Sequence, residues 1–333
     1  MPGPAGQPLD GARRAALIGT KLAALAADRD ERLTTEPTGI GVGAAAMAGT
    51  TAWVLVDDGD IRGAQRALGP ALAWALRREA GAVRLLAEPA AAGVLARRAA
   101  LFDWDIDVLE VSGREQRPAV ATEAPVTAAL DPASVIAWRE LIEAAGAVPV
   151  VEHGVLVGEV AGLEVCRLVT GPDGHALEVG IGAHDRETFQ MLHGARPTLD
   201  ALRDVVSHVA THRSVGAVQH PLNQLARSRL LRARLLAEPS VLDVAALMVA
   251  DPPVVRTNVK DELPCAALAV DEALLVACSV GIDLDAVVFA ADAAAMHRAE
   301  RSIVAVPERD AIEIQHRLAE RVRVPTRVVA VPN

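Results

Sequence analysis

The stretch that decides the fold runs from Cys265 to Val331 and reads CAALAVDEALLVACSVGIDLDAVVFAADAAAMHRAERSIVAVPERDAIEIQHRLAERVRVPTRVVAV. Short aliphatic runs bounded by polar residues predict strands over Ala266–Val270, Leu274–Ser279, Ile303–Val306 and Arg327–Val331. The longer segments between them, Asp285–Arg298 and Asp310–Arg321, have the composition of helices. The order is a tight hairpin, then helix, strand, helix, strand.

The same order recurs at almost the same length between Gly41 and Val111. Strands are predicted over Ile40–Met47 and Thr51–Val56, joined at Ala48-Gly49. A helix over Gln65–Glu79 starts its regular part near Gly69, because Pro70 is tolerated only in a first turn. A strand (Val83–Ala87), a helix (Ala90–Leu101) and a strand (Ile106–Val111) complete the unit. The fold class is α/β, with two βαβα-type units that each open with a β-hairpin, and an additional α+β middle region.

Around these units the chain divides into a proline-rich tail (residues 1–9), an N-terminal α/β unit (10–111), a linker punctuated by Pro118, Pro125 and Pro132 (112–133), the middle region (134–264) and the C-terminal unit (265–333), expected to pack with the middle region. The first unit opens with a helix from Asp10 to about Arg32. The middle region opens with a helix over Ser134–Ala145. Strands follow over Val148–Val151, Val155–Val160, Leu163–Val169 and Ala176–Ile181, the last two joined at Gly171-Pro172-Asp173-Gly174. Helices are then expected over Glu187–His193, Thr198–His212 and Leu222–Ala237.

Composition narrows the functions open to such a chain. About half of the 333 residues are apolar, with no Tyr, four Trp and three Phe, so the core is built from Ala, Val and Leu. A net charge of −10 disfavours a non-specific grip on a polyanion, and a protein partner or self-association is expected ahead of nucleic acid. Cys166, Cys265 and Cys278 lie far apart in apolar strand patterns and read as reduced core residues. The N-terminus has no signal-peptide pattern and no apolar run is long enough to cross a membrane, so a cytoplasmic location is expected.

The segment Trp53-Val-Leu-Val, a helix, Val83-Arg-Leu-Leu-Ala87 and then Ala96-Arg-Arg-Ala-Ala100 resembles the core of restriction-endonuclease-like (PD-(D/E)XK) domains, over about 70 residues in each unit and at the level of topology. That resemblance implies an Asp on one hairpin strand and Glu-x-Lys on the next, holding a divalent metal beside a lysine that helps activate water. Neither unit carries the set. The first hairpin reads GVGAAAMAG and TAWVLV, and the second has Asp271 and Glu272 only in its turn. Lys21 and Lys260 are the only lysines, and neither lies on a hairpin strand. The terminal units therefore read as degenerate nuclease-like domains.

The middle hairpin comes nearest to a carboxylate pair. Glu164 in GLEVCRL and Glu178 in ALEVGIG occupy adjacent strands and are expected to face each other, with Gly180 where the family motif has Lys. His184, Asp185 and Arg186 follow where a strand hands over to a helix, a frequent place for functional groups in α/β folds. Asp204, His208 and His212 share one helix face at metal-ligand spacing, with His193 or His220 as a further ligand, but Leu199, Leu202, Val205, Val206 and Val209 define the buried arc opposite, and a solvated polar face is the preferred reading. Gly39, Gly41, Gly43 and Ala46 mimic a dinucleotide fingerprint but lack the strand before and the helix after. Cys278-Ser279 with Asp283 and Asp285 could suggest a nucleophile, but no Gly-x-Ser-x-Gly elbow surrounds it, and a buried Cys with a capped helix accounts for it. Arg227, Arg229, Arg232 and Arg234 form the most basic stretch, without aromatic neighbours, and call for acidic partners.

The expected function is a non-catalytic interaction or scaffolding role without a cofactor. The alternatives are a metal-dependent hydrolase using Glu164, Glu178, His184 and Asp185, with a divalent metal and Arg186 in the role of lysine, and a nucleotide-binding protein.

Overall fold

A computed structural model describes residues 11–126, 128, 130–171, 174–193, 199–214, 216–256 and 261–332. The expected tail, the centre of the Gly171–Gly174 turn and Thr198 lie outside the described residues. Among the described residues the chain is mixed α/β with three sheets, and it divides into two compact units.

The first unit comprises Met1–Glu123, Leu284–Asp292 and Ile312–Thr326. Its N-terminal part runs α1 (Gly11–Ala27), β1 (Thr38–Gly39), β2 (Gly43–Ala48), β3 (Thr51–Val56), α2 (Ile61–Gln65), α3 (Leu68–Leu76), β4 (Ala82–Ala87), α4 (Pro89–Ala99), β5 (Asp105–Ser112) and β6 (Glu115–Pro118). The six strands lie side by side in sequence order, with β3, β4 and β5 parallel and the outer pairs antiparallel. Leu22, Leu25 and Ala26 of α1 pack on Ala44, Ala46, Trp53, Leu55, Leu86 and Leu109 of the sheet. The helix stops short of the expected Arg32 because Asp30 takes a left-handed conformation (φ 59°) that ends the turn. β6 falls in the stretch expected to be linker.

The glycine run at Gly39–Gly43 turns β1 into β2, with Ile40 N–H donating to Gly43 O at 2.9 Å. No helix opens after it, so the nucleotide fingerprint has no phosphate-binding helix terminus behind it. Gly43 is required for another reason. A Cβ there would lie 2.0 Å from the Leu55 carbonyl oxygen, across the ladder from its partner Val56.

The second unit comprises Ala124–Asp283, Ala293–Ala311 and Arg327–Asn333. Its elements are α5 (Pro132–Ala144), β7 (Val148–Glu152), β8 (Val155–Val160), β9 (Leu163–Gly171), β10 (Gly174–Val179), α6 (Gly182–His193), α7 (Leu199–Arg213), α8 (Arg227–Ala237), β11 (Met248–Ala250), β12 (Cys265–Ala269) and β13 (Leu274–Cys278). The chain closes with α9 (Ala286–His297), β14 (Arg301–Pro307), α10 (Glu313–Ala319) and β15 (Thr326–Val331). Strands β7 to β10 form an antiparallel meander, and β11 to β15 form a second sheet in sequence order. In that sheet β12 and β13 are antiparallel and β13 and β14 parallel, the same directions as β2, β3 and β4. The repeated order of elements is therefore a repeat of strand order and direction.

The two units are discontinuous in sequence. Leu284–Asp292 and Ile312–Thr326 belong with the N-terminal sheet, and the division passes through α9. The reason lies in side chains that periodicity does not register. Asp292 is buried and accepts from Arg97 Nε (3.0 Å), Arg97 Nη2 (2.9 Å) and Arg98 Nε (2.8 Å) of α4. Asp285, also buried, lies 3.5 Å from Arg66 and 3.6 Å from Arg98.

Candidate functional site: a glutamate–arginine layer

The site is built on one face of the β7–β10 meander. Paired residues on neighbouring strands project to the same side. Glu152 pairs with Val155, Val157 with Arg167, and Arg167 with Glu178, so these side chains share a face. Three residues separate Glu164 from Arg167, and strict alternation would put them on opposite faces. A register shift at Gly158/Glu159 prevents this: Cys166 pairs with Gly158 but Glu164 with Glu159, which leaves Val165 as an extra residue. The bulge returns Glu164 to the polar side. The opposite face carries Leu156, Cys166, Leu168, Leu177 and Val179, packed with Ile142 of α5 and Leu202, Val206 and Val209 of α7.

Helix α8 supplies the cover. It starts after Ala226, which is left-handed (φ 48°), and the Glu262 carboxylate accepts from the Arg227 and Ser228 amides at 3.1 and 2.8 Å, in the place of an N-cap. Arg229 and Arg232 lie three apart and so point the same way. Each reaches both Glu152 and Glu159. The helix comes this close because residue 162 is glycine: a Cβ at Gly162 (φ 77°) would lie 2.3 Å from the Arg229 carbonyl. Arg213 ties the same turn down, donating to Ala161 O at 3.1 and 2.8 Å and to the Leu222 and Leu225 carbonyls at 2.7 Å.

Glu164, 4% exposed, accepts from three arginines. Arg167 binds it in a fork at 2.8 and 2.9 Å, Arg186 at 3.0 Å and Arg256 at 3.3 Å. Arg186 also lies 3.3 Å from Glu178, so one guanidinium bridges the two carboxylates that the sequence placed together. Gly180 cannot be replaced by the lysine of the family motif, since a Cβ there would come 2.8 Å from the Arg186 amide of α6.

Burial by itself would raise the Glu152 carboxyl, but the charges of Arg232 and Arg229 outweigh it and hold the group at about 2. Glu164 is governed in the same way: burial opposes ionisation, and Arg167, Arg256 and Arg186 together keep it below the ordinary carboxylate range. Arg256 is pushed down, first by burial and then by the charge of Arg229. A cavity of about 50 Å³ sits within the layer, lined by Glu152, His153, Glu164, Arg167, Arg229 and Arg256 with Val155, Val157 and Val255.

The other sequence candidates are dispersed. The His184 side chain lies outside the described residues, and Asp185 is exposed in the first turn of α6. On α7, Asp204 and His208 are exposed, and the His208 and His212 ring centroids are 5.1 Å apart. His220, remote in sequence, stacks on His212 at 3.7 Å with 11° between the planes. Rings stacked in nearly parallel planes cannot both direct a nitrogen lone pair at one ion, which must lie in the plane of each ring. Among the described residues, no group of three or more His, Cys, Asp or Glu side chains is placed to hold a metal ion.

Ser279 and Cys278 are buried, and Cys278 is paired across the ladder with Cys265, whose hydrogen bond, together with burial, pushes the Cys278 thiol well up. Asp285 heads α9 through its carbonyl, which accepts from Phe289 N–H at 2.8 Å, while its side chain serves the Arg66 and Arg98 pairs. Of the basic stretch, Arg229 and Arg232 meet the acidic partners expected for them and Arg234 is exposed.

Sequence reasoning passed over Glu152, Glu159 and Arg256. The first two had a signal, as single carboxylates inside the apolar strands VPVVE and VLVGEV; Arg256 had none. No family model, curated protein or solved structure matches the chain.

Proposed function

We propose that the chain is a non-catalytic interaction protein, built on degenerate nuclease-like α/β units, whose partner is a protein or a second copy of itself. The observation that carries this reading is the engagement of Glu164 by Arg167, Arg186 and Arg256. A carboxylate that serves as metal ligand or general base must offer a lone pair to the metal or proton, and these lone pairs are taken by guanidinium groups. The formal charge of −10 supports a partner other than a polyanion. Among the described residues no helix is long and apolar enough to cross a membrane.

The competing reading is a metal-dependent hydrolase in which Arg186, bridging Glu164 and Glu178, replaces the lysine. The decisive assay incubates the purified chain with Mg²⁺ or Mn²⁺ and with duplex DNA, single-stranded DNA and a chromogenic phosphodiester. The expected result is no turnover beyond that of the Glu164→Gln variant. Metal-dependent cleavage that Glu164→Gln abolishes, with the fold intact by circular dichroism, would overturn the proposal.

A further inference from the structure

The glutamate–arginine layer is not balanced. Arg167, Arg186, Arg229, Arg232 and Arg256 face Glu152, Glu159, Glu164 and Glu178, five cations against four anions. Around the cavity itself, Arg167, Arg229 and Arg256 line the wall with Glu152, Glu164 and His153, and once Glu159 and Arg232 behind them are counted, four guanidinium groups face three carboxylates. Arg186 Nε, Arg232 Nε and Arg256 Nη1 of the layer are all buried with no hydrogen-bond partner among the described residues, and of these three residues Arg256 lines the cavity. Its side chain is nine-tenths buried, its Nη2 reaches Glu164, and its Nη1 is buried with no hydrogen-bond partner among the described residues. A guanidinium N–H shut away from water without an acceptor is costly, and the cost is relieved by an anion. Size then selects the kind of anion. A water needs about 10–15 Å³ of such space, so about 50 Å³ accommodates one small ion and excludes a nucleotide or a sugar phosphate.

We propose that the cavity bounded by Arg167, Arg229 and Arg256 is a binding site for one small monovalent anion, of halide or short-carboxylate size. The single excess charge of the lining sets the valence. Glu152 and Glu164 restrict entry by a second negative charge, and Val155 and Val157 limit the volume. This inference is independent of the interaction role proposed above, because it would hold for a catalytic chain as well.

The test uses the full-length chain at constant ionic strength, with gluconate, too large for the cavity, as the reference anion. ³⁵Cl line broadening is recorded against chloride concentration, then with formate and with acetate as competitors, and melting temperature is followed in the same series. The expected result is saturable broadening and a saturable rise in melting temperature in chloride, weakened at least tenfold in Arg256→Gln. Competition by formate at lower concentration than chloride identifies a carboxylate as the preferred anion, and the reverse identifies a halide; both support the site. Should Arg256→Gln fail to fold, Val157→Leu, which fills the cavity and keeps every charge, is expected to abolish the saturable component. Absence of saturable broadening in the wild-type chain, or its persistence in a folded Arg256→Gln or Val157→Leu variant, overturns the proposal.

Discussion

Two regions of this molecule bury arginine against carboxylate with an excess of one cation, and they differ in how completely the guanidinium donors are satisfied. In the first unit, Asp292 takes both Arg97 and Arg98, and the remaining guanidinium donors go to main-chain carbonyls: Arg97 Nη1 to Thr122 and Glu123 at 3.2 and 2.9 Å, Arg98 Nη1 to Gln65 at 2.8 Å. In the second unit, Arg256 donates to Glu164, and its Nη1 has no acceptor among the described residues. A buried charge network whose donors are all satisfied fixes geometry. One with an unsatisfied donor leaves room for a ligand. The first is read as the joint that holds the start of α9 on α4, the second as a site.

Three experiments would break or sharpen that comparison. The largest effect is expected for Asp292→Asn, which removes the carboxylate that Arg97 and the buried Arg98 share and leaves Arg98 only Asp285 at 3.6 Å. Removing one partner of a buried pair costs about 3–5 kcal/mol, read as a fall in unfolding free energy in urea. A loss below about 1 kcal/mol, the value of an exposed pair, would mean that the joint does not behave as a buried ion network.

Next comes the pH dependence of the layer. Glu152 is held at about 2 against an ordinary 4.5, so its contribution is complete above the unfolded value and is lost as pH falls from about 4.5 toward about 2. The amount is roughly 3 kcal/mol. Unfolding free energy measured between pH 5 and pH 2 should fall by about that much more in the wild-type chain than in Glu152→Gln. Parallel curves would show that Glu152 does not carry its charge into the fold as described.

The smallest effect separates the two glycines that let each region close. Gly69 lies in α3, where a Cβ would meet the Leu284 carbonyl oxygen at 2.2 Å, and Gly162 lies in the β8–β9 turn against Arg229. In a helix, Ala is favoured over Gly by about 1 kcal/mol, which partly offsets the clash in Gly69→Ala. Gly162→Ala has no such offset, and its positive φ adds about 1–3 kcal/mol of strain. Thermal melts should therefore rank Gly162→Ala as the more destabilised. The opposite ranking would place the tighter backbone approach in the first unit.

Much of this architecture was legible in advance. The hairpins at Ala48-Gly49 and at Asp271-Glu272 and the helices between them were readable because strand and helix periodicity are local properties. The pairing of Glu164 with Glu178 on one face was half legible. Both do face the same arginine, but the ladder partners are Glu159 and Arg167. The miss follows from Val165, since one extra residue in a strand changes the face of everything beyond it. The α8 arginines showed their need for acidic partners, but composition could not say which glutamates met it.

By itself, the sequence determined the recurring order of hairpin, helix, strand, helix, strand in the two terminal stretches, and that neither hairpin carries an acidic residue followed by Glu-x-Lys. Only the tertiary structure decided that Asp285 and Asp292 tie the start of α9 to the arginines of the first unit, that a bulge brings Glu164 to the polar face, and that Arg256 closes over it from 92 residues away. The physical reason is the range of the interactions. Periodicity acts over a few neighbouring residues, whereas a buried charge takes its partner from whatever the fold brings within about 3 Å, and nothing in the intervening chain encodes that choice.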